Sequence, residues 1–355
     1  SPVMPSSKDF MVSEFNLDFD HNNYDLTTGI QVFENLGLAH SDRYQYVLPS
    51  YDFSKGINIK NLDGSLNFYS SGSNRLKDTN NLRTSVVNDL EFNSINYLTS
   101  GGLINNFKIY FKNLNSLGKN DTIYKSSPSV EAMSIAEMRT SLPMIKKSTF
   151  SRETFTPKIS FRANPGNNMK NHSESNKLLD PNNIFEINRL GLNDTFEAGK
   201  SLTLGIDYKF DLIEKDTVNK DILGDEIVLK DKFLEFELAT VFRDRAENKI
   251  PSSSTINQKN SGLFGSLNNK LYENLELGYD FIINNNYDSF ESHTLNSKFS
   301  VNNFVTEFNY VERSNNLGAD HVLSNKTSYE VDENNILSFS TRRNKEINLT
   351  EYYDL

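Results

Sequence analysis

The stretch SLTLGIDYKFDL (Ser201–Leu212) alternates apolar and polar residues without a fault. Leu202, Leu204, Ile206, Tyr208, Phe210 and Leu212 fall on one side of the alternation, and Thr203, Gly205, Asp207, Lys209 and Asp211 on the other. Side chains of an extended chain point alternately to opposite faces, so a period of two predicts a strand with one oily and one wet face. The stretch is also long enough to cross a bilayer as a tilted strand. It follows directly on NNIFEINRLGLNDTFEAGK (Asn182–Lys200), the most motif-like segment of the chain.

Composition narrows the classes that can use such a strand. With 355 residues, 36% hydrophobic, and a mean hydropathy of −0.56, the chain is too polar for a bundle of membrane helices. If it spans a membrane it must do so as a closed β-barrel, because only helices and closed barrels satisfy every backbone group in lipid. Half of each barrel strand faces a polar lumen, so low hydropathy is compatible with that architecture. A net charge of −10 argues against binding a phosphate backbone, and no nucleic-acid partner is expected. The absence of Cys excludes a disulfide framework and a thiolate metal site.

Outward from Ser201 the period of two recurs, and helical periodicity does not. Phe15, Leu17 and Phe19 alternate with polar residues, as do Phe107, Ile109 and Phe111, and Leu234, Phe236 and Leu238. The carboxy-terminal third is clearest: Leu275, Leu277, Tyr279, Phe281 and Ile283 form one face, Phe304, Thr306, Phe308 and Tyr310 another, and Tyr329 with Val331 ends a third. Short Asn-rich breaks separate these runs at Glu273-Asn274, Asn284–Asn286, Asn302-Asn303, Asn315–Gly318 and Asp332–Asn335. Breaks that short suit antiparallel hairpins and leave no room for parallel crossovers. Glu214–Asp231 and Ala246–Ser261 read as longer polar loops. The expectation is an all-β, antiparallel up-and-down transmembrane barrel with roughly 14 to 18 strands, forming one domain over residues 1–355. Neither SPVMPSSKDFMVSEF at the start nor EYYDL at the end resembles a natural barrel terminus, so both ends read as cut.

The search for catalytic or ligand chemistry returns little. Glu197-Ala198-Gly199-Lys200-Ser201 resembles the end of a phosphate-binding loop, but Asp194 stands where the first glycine belongs and a strand follows instead of a helix, so a turn is expected. Ser70-Ser71-Gly72-Ser73 reads as turn chemistry. His21, His40, His172, His293 and His321 are too dispersed to share a metal, and each is expected in a solvated loop or lumen. The Asp180–Asn183 cluster lacks the spacing of a calcium loop. No cofactor, metal or catalytic residue is expected, and an enzyme reading has no positive support.

Four segments carry a resemblance: TFTPKISFRANPG (Thr154–Gly166), LDPNNIFEINRLGLNDTFEAGKSLTLGIDY (Leu179–Tyr208), IPSSSTINQKNSGLFG (Ile250–Gly265) and TRRNKEINLTEYYDL (Thr341–Leu355). In order and spacing they resemble the barrel domain of the LPS-assembly protein LptD, the organic solvent tolerance family. The resemblance spans roughly Leu48–Leu355, with LPSYDFSKG (Leu48–Gly56) similar to the family's start of a strand pair. It implies an outer-membrane translocon of a Gram-negative bacterium that inserts lipopolysaccharide into the outer leaflet. It also implies an LptE-like plug lipoprotein, and an LptA-like periplasmic bridge reached through an N-terminal domain. The chain departs from the family pattern: jellyroll, some early strands, closing strands and cysteines are missing from it.

Moving an amphipathic lipid across an apolar slab requires a wet path for sugars and an apolar exit for acyl chains. On that reading Asp207, Lys209 and Asp211 are candidate lumen contacts, and Arg162 and Arg189 candidate contacts for anionic sugar or phosphate. A porin or passive channel would use the same alternation. A soluble extracellular β-protein, an adhesin or glycan binder, would instead bury its oily faces. Alternation alone says which residues share a face, and only the barrel reading turns the Leu202 face toward lipid.

Overall fold

The computed structural model describes residues 10–38, 43–166, 168–212, 232–314, 320–332 and 335–354. Among these residues the chain folds into nineteen strands and one short 3-10 turn, Ser252–Ser254. The strands are β1 (Phe10–His21), β2 (Tyr24–Asn35), β3 (Tyr44–Ile57), β4 (Gly64–Lys77), β5 (Asn81–Ser94), β6 (Tyr97–Leu98), β7 (Ile104–Lys119), β8 (Ser129–Ser141), β9 (Met144–Lys147) and β10 (Ser151–Asn164). They continue as β11 (Gly199–Leu212), β12 (Phe233–Arg243), β13 (Leu263–Tyr272), β14 (Leu275–Ile283), β15 (Phe290–Val301), β16 (Phe304–Arg313), β17 (His321–Asp332), β18 (Asn335–Asn344) and β19 (Leu349–Asp354).

All nineteen lie in one sheet with antiparallel pairing between sequence neighbours, an up-and-down β-barrel wall. The count slightly exceeds the expected range because of two short pieces. The two-residue β6 pairs with the start of β7, and β9 continues β8 along the same partner, β10, after a break at Leu142 and Pro143. The sheet is strongly curled. Seven strand spacings would part β12 from β19 by about 34 Å on a flat sheet, yet Glu235 of β12 and Tyr352 of β19 line one cavity of about 670 Å³.

The polarity of the wall is inverted relative to a soluble protein. On β10, Ser160 and Arg162 are 1% and 2% exposed, while their apolar neighbours Ile159 and Phe161 are 41% and 48% exposed. The opening stretch behaves alike. Ser201, Thr203 and Asp211 of β11 are buried, and Leu204 is exposed. An exposed apolar band backed by buried polar residues suits a wall whose outer solvent is hydrocarbon. The strands of the carboxy-terminal third, and the breaks at Glu273-Asn274, Asn284–Asn286 and Asn302-Asn303, fall where alternation puts them, with Leu275–Ile283 forming β14 residue for residue. The expected loop Glu214–Asp231, the break Asn315–Gly318 and His40 lie outside the described residues.

Local readings are corrected at four places. Ser70-Ser71-Gly72-Ser73 lies inside β4 and not in a turn; its small side chains leave room for the Tyr51 ring, whose Cε1 would lie 2.3 Å from a Cβ on Gly72. Only Gly199 of the expected Gly-Lys-Ser turn has a positive φ, 83°, and Lys200 and Ser201 run straight into β11 opposite Ala163 and Arg162. His172 is hydrogen-bonded to Asp194 at 2.8 Å and largely shielded. His293 and His321 sit in strands β15 and β17, bonded to the Tyr279 and Tyr310 hydroxyls at 2.6 and 2.9 Å.

Candidate functional site

Two connections do not run over the rim but pack against the inner wall. The segment 165–198, between β10 and β11, and the segment 244–262, between β12 and β13, supply most of the buried apolar residues. Leu179, Ile184, Phe185, Leu190 and Leu192 from the first meet Ile250 and Ile256 from the second, over Val241, Phe264 and Ile282 of the wall. Ile187 and Phe196 pack on Leu114, Met133 and Ile135 of β7 and β8. The two segments together form a plug over the inner face of β5 through β14.

The plug's backbone is fixed by its own polar residues. The Asp180 carboxylate accepts from the Asn182 and Asn183 amides at 2.9 Å each, which fixes a turn. Gly191 then reverses the chain with φ 61°. The reversal brings Arg189 back onto Glu197, which it grips in a bidentate pair at 2.8 and 2.6 Å.

Glu197 is the hub of the site. Arg162 of β10 approaches it at 3.4 Å, and Arg243 of β12 donates to it and to the Ala198 carbonyl. Arg189 also donates to Ser201 and Thr203 of β11, at 3.1 Å each. Three adjacent strands are thereby tied to one carboxylate of the plug, with every member buried. Burial alone would push the Glu197 carboxyl up, but the Arg189 and Arg243 guanidiniums outweigh it and hold it down to about 2. Removing one partner from such a buried set leaves uncompensated charge, at a cost of about 3–5 kcal/mol.

A second set of ties surrounds the hub. Lys112 of β7 donates to Asp89 of β5 and to the Asn193 carbonyl of the plug, at 2.7 and 2.8 Å, with its amine 5.0 Å from the Phe196 ring centre. Arg139 of β8 and Lys158 of β10 bracket the Phe185 ring, at 5.7 and 5.3 Å. Asp194 joins His172 at 2.8 Å and Tyr124 at 2.9 Å. Burial raises the Asp194 carboxyl, and the His172 and Tyr124 bonds more than reverse that and hold it below the usual carboxylate range.

Of the residues singled out in the sequence, the structure brings Arg162 and Arg189 together at Glu197. It places Asp207, Lys209 and Asp211 farther along β11, where they line a separate cavity of about 400 Å³ with Arg152, Glu235 and Glu237. Asp207 there pairs with Lys158, and Lys209 with Glu235. Sequence reasoning missed Glu197 and Arg243. Glu197 looked like the flank of a turn, and Arg243 stands at the edge of a polar stretch; their pairing across 46 positions leaves no local pattern. Beyond the plug, the inner face of β12 through β17 carries Glu235, Glu276, Lys298, Glu307, Asn309 and Lys326 around the 670 Å³ cavity.

A family model described as LptD, LPS transport system D, matches residues 6–342, nearly the whole chain. The chain belongs to the LPS transport system D family. A comparison with curated proteins returned no match. LptD membership assigns the chain a role in LPS transport at the outer membrane. The inverted polarity of β10 and β11 agrees with that placement, with Ile159, Phe161 and Leu204 exposed and Ser160, Arg162 and Thr203 buried.

Proposed function

We propose that this chain walls a conduit that inserts lipopolysaccharide into the outer leaflet of a Gram-negative outer membrane. Sugars and phosphates travel along the polar inner face, and acyl chains leave through a lateral gate in the wall. The observation that supports this most is the contrast between a wall with exposed apolar and buried polar residues and an inner face that is only partly plugged. A conduit for an amphipath needs a wet interior of variable width, which a movable plug beside an open polar cavity provides.

The rim bearing the connections 120–128, 165–198 and 244–262 is assigned to the cell exterior, because outer-membrane barrels carry their longer loops there. Asp207, Lys209 and Asp211 contact the saccharide in transit. Arg162 on the wall and Arg189 on the plug meet its anionic groups once their shared pairing with Glu197 opens. An LptE-like lipoprotein occupies the open half of the lumen, and an LptA-like bridge delivers substrate from the periplasmic rim.

The test is made in the full-length protein in cells. Replacing Asp207, Lys209 and Asp211 with alanine should lower surface LPS and admit large antibiotics while the barrel still assembles. Unchanged surface LPS would reject those contacts. Steady ion conductance of the purified barrel, with no lipoprotein recovered alongside it, would favour a passive channel instead.

A further inference from the structure

The lipid-facing wall carries a groove that the transport role leaves unused. Ile104, Ser141, Lys158, Gly205, Ala239 and Phe264 stand in one register row across β7, β8, β10, β11, β12 and β13. Their side chains turn inward: Lys158 pairs with Asp207, and Ala239 and Phe264 enter the buried cluster under the plug. Along that row the outer surface is therefore backbone alone. Ridges of outward side chains flank it, Pro157, Ile206 and Leu238 on one side and Ile159, Leu204 and Leu263 on the other, around a cavity of about 510 Å³. Strand pairing is also interrupted here. Pro157 has no N–H to offer the ladder, and the facing strand is broken between β8 and β9 at Leu142 and Pro143.

The floor of the groove is set from inside. A Cβ on Gly205 would lie 2.7 Å from Cζ of Phe185, so the plug's aromatic ring presses on the wall where β11 has no side chain. Gly205 thus separates the plug from the groove by one backbone thickness.

We infer that this groove seats an acyl chain of a phospholipid of the surrounding bilayer. It is continuous with the apolar band that meets hydrocarbon, as the exposure of Ile159 and Leu204 shows. A void along that band would forfeit dispersion contacts that a flexible chain restores. The commitment to hydrocarbon follows from the polar groups present. The Lys158 amine points inward to Asp207, the Thr140 hydroxyl is bonded to Asn105 at 2.7 Å, and the Thr240 hydroxyl reaches the Gly262 carbonyl at 3.3 Å. The donors of these three groups are engaged within the protein, so none is left to hold a phosphate.

The experiment reconstitutes the full-length protein in phosphatidylethanolamine–phosphatidylglycerol vesicles doped with a phospholipid bearing a diazirine on one acyl chain, and maps the photolabel by mass spectrometry. Ile159 and Leu204 should be labelled several-fold above Leu295 and Phe299, outward residues of β15 that line no groove. Leu204→Trp, which fills the groove from the lipid side, should lower the Ile159 label several-fold and leave the β15 label unchanged. Equal labelling of β10, β11 and β15 overturns the inference, as does an Ile159 label indifferent to Leu204→Trp. Adding LPS to the vesicles should leave the pattern intact, and loss of the groove label alone would assign the groove to the transported lipid and overturn the phospholipid assignment. Absence of label from β11 and β15 alike overturns the inference together with the membrane placement on which it rests.

Discussion

The wall from β5 to β14 and the wall from β14 to β19 share an outer face and differ on the inner one. Outside, both show apolar side chains: Phe107, Phe161 and Leu204 in the first, Phe299, Phe308 and Leu337 in the second. Inside, the first half turns Leu114, Ile135, Val241, Phe264 and Ile282 toward a plug, with buried ions tied to it. The second half turns Glu276, Lys298, Glu307 and Lys326 toward an open cavity. Apolar side chains toward lipid are common to both. The inner face follows its occupant, apolar where a loop covers it and charged where water does.

The difference makes unequal demands on single residues, and Glu197→Gln should expose it most. Three buried guanidiniums would lose their common anion, so plug docking should weaken by about 3–5 kcal/mol. Amide exchange in 165–198 should accelerate accordingly, with exchange in β15 to β18 unchanged. Ile256→Ala comes next. Ile256 is fully buried between plug and wall, and its truncation should weaken the same docking by about 2–5 kcal/mol, read by protease cutting within 244–262.

Acid is a milder probe of the same contrast. The folded Glu197 pKa lies below its ordinary value, so its contribution is fully present above about 4.5 and is lost as pH falls through about 2. Protease sensitivity of the plug should therefore rise between those limits and stay flat from neutral pH down to about 5. Smallest of all should be Glu307→Gln in the open half. Glu307 and Lys298 are 3.6 Å apart and about half exposed, and breaking such a pair should change barrel stability by no more than about 1 kcal/mol. A larger loss would mean that the open half is also closed by charge, and the distinction between the halves would fail.

The same contrast explains what was legible in the sequence. The carboxy-terminal strands read cleanly because their inner residues are polar, so alternation and environment coincide in Leu275–Ile283 and Phe304–Tyr310. In β7 the plug demands Leu114 inward, while Asn113 and Asn115 share the outer face with Phe111, and the period of two fades after Phe111. The plug was not legible as such. Ile184, Phe185, Ile187, Leu190, Leu192 and Phe196 are apolar enough to demand burial, but they follow no strand or helix period that would name the surface they bury against. The Ser70–Ser73 misreading has a similar cause: small residues suit a turn by propensity, and here they make room for Tyr51. Arg162 and Arg189 were visible as cations, but not as two of three gripping one carboxylate.

The central claim is that apolar side chains meet lipid in both halves, while among the described residues a plug covers the inner face of only one. The chain has no Cys, so single cysteines placed at Leu204, Thr203 and Lys209 on β11, and at Phe308 and Glu307 on β16, can be read without background. In lipid vesicles, a membrane-impermeant maleimide should label the Lys209 and Glu307 positions, spare Thr203 beneath the plug, and spare Leu204 and Phe308. Fluorophores attached at those last two should be quenched by spin-labelled lipid. Labelling of Leu204 and Phe308 by the aqueous reagent, with Lys209 and Glu307 protected, would contradict the account.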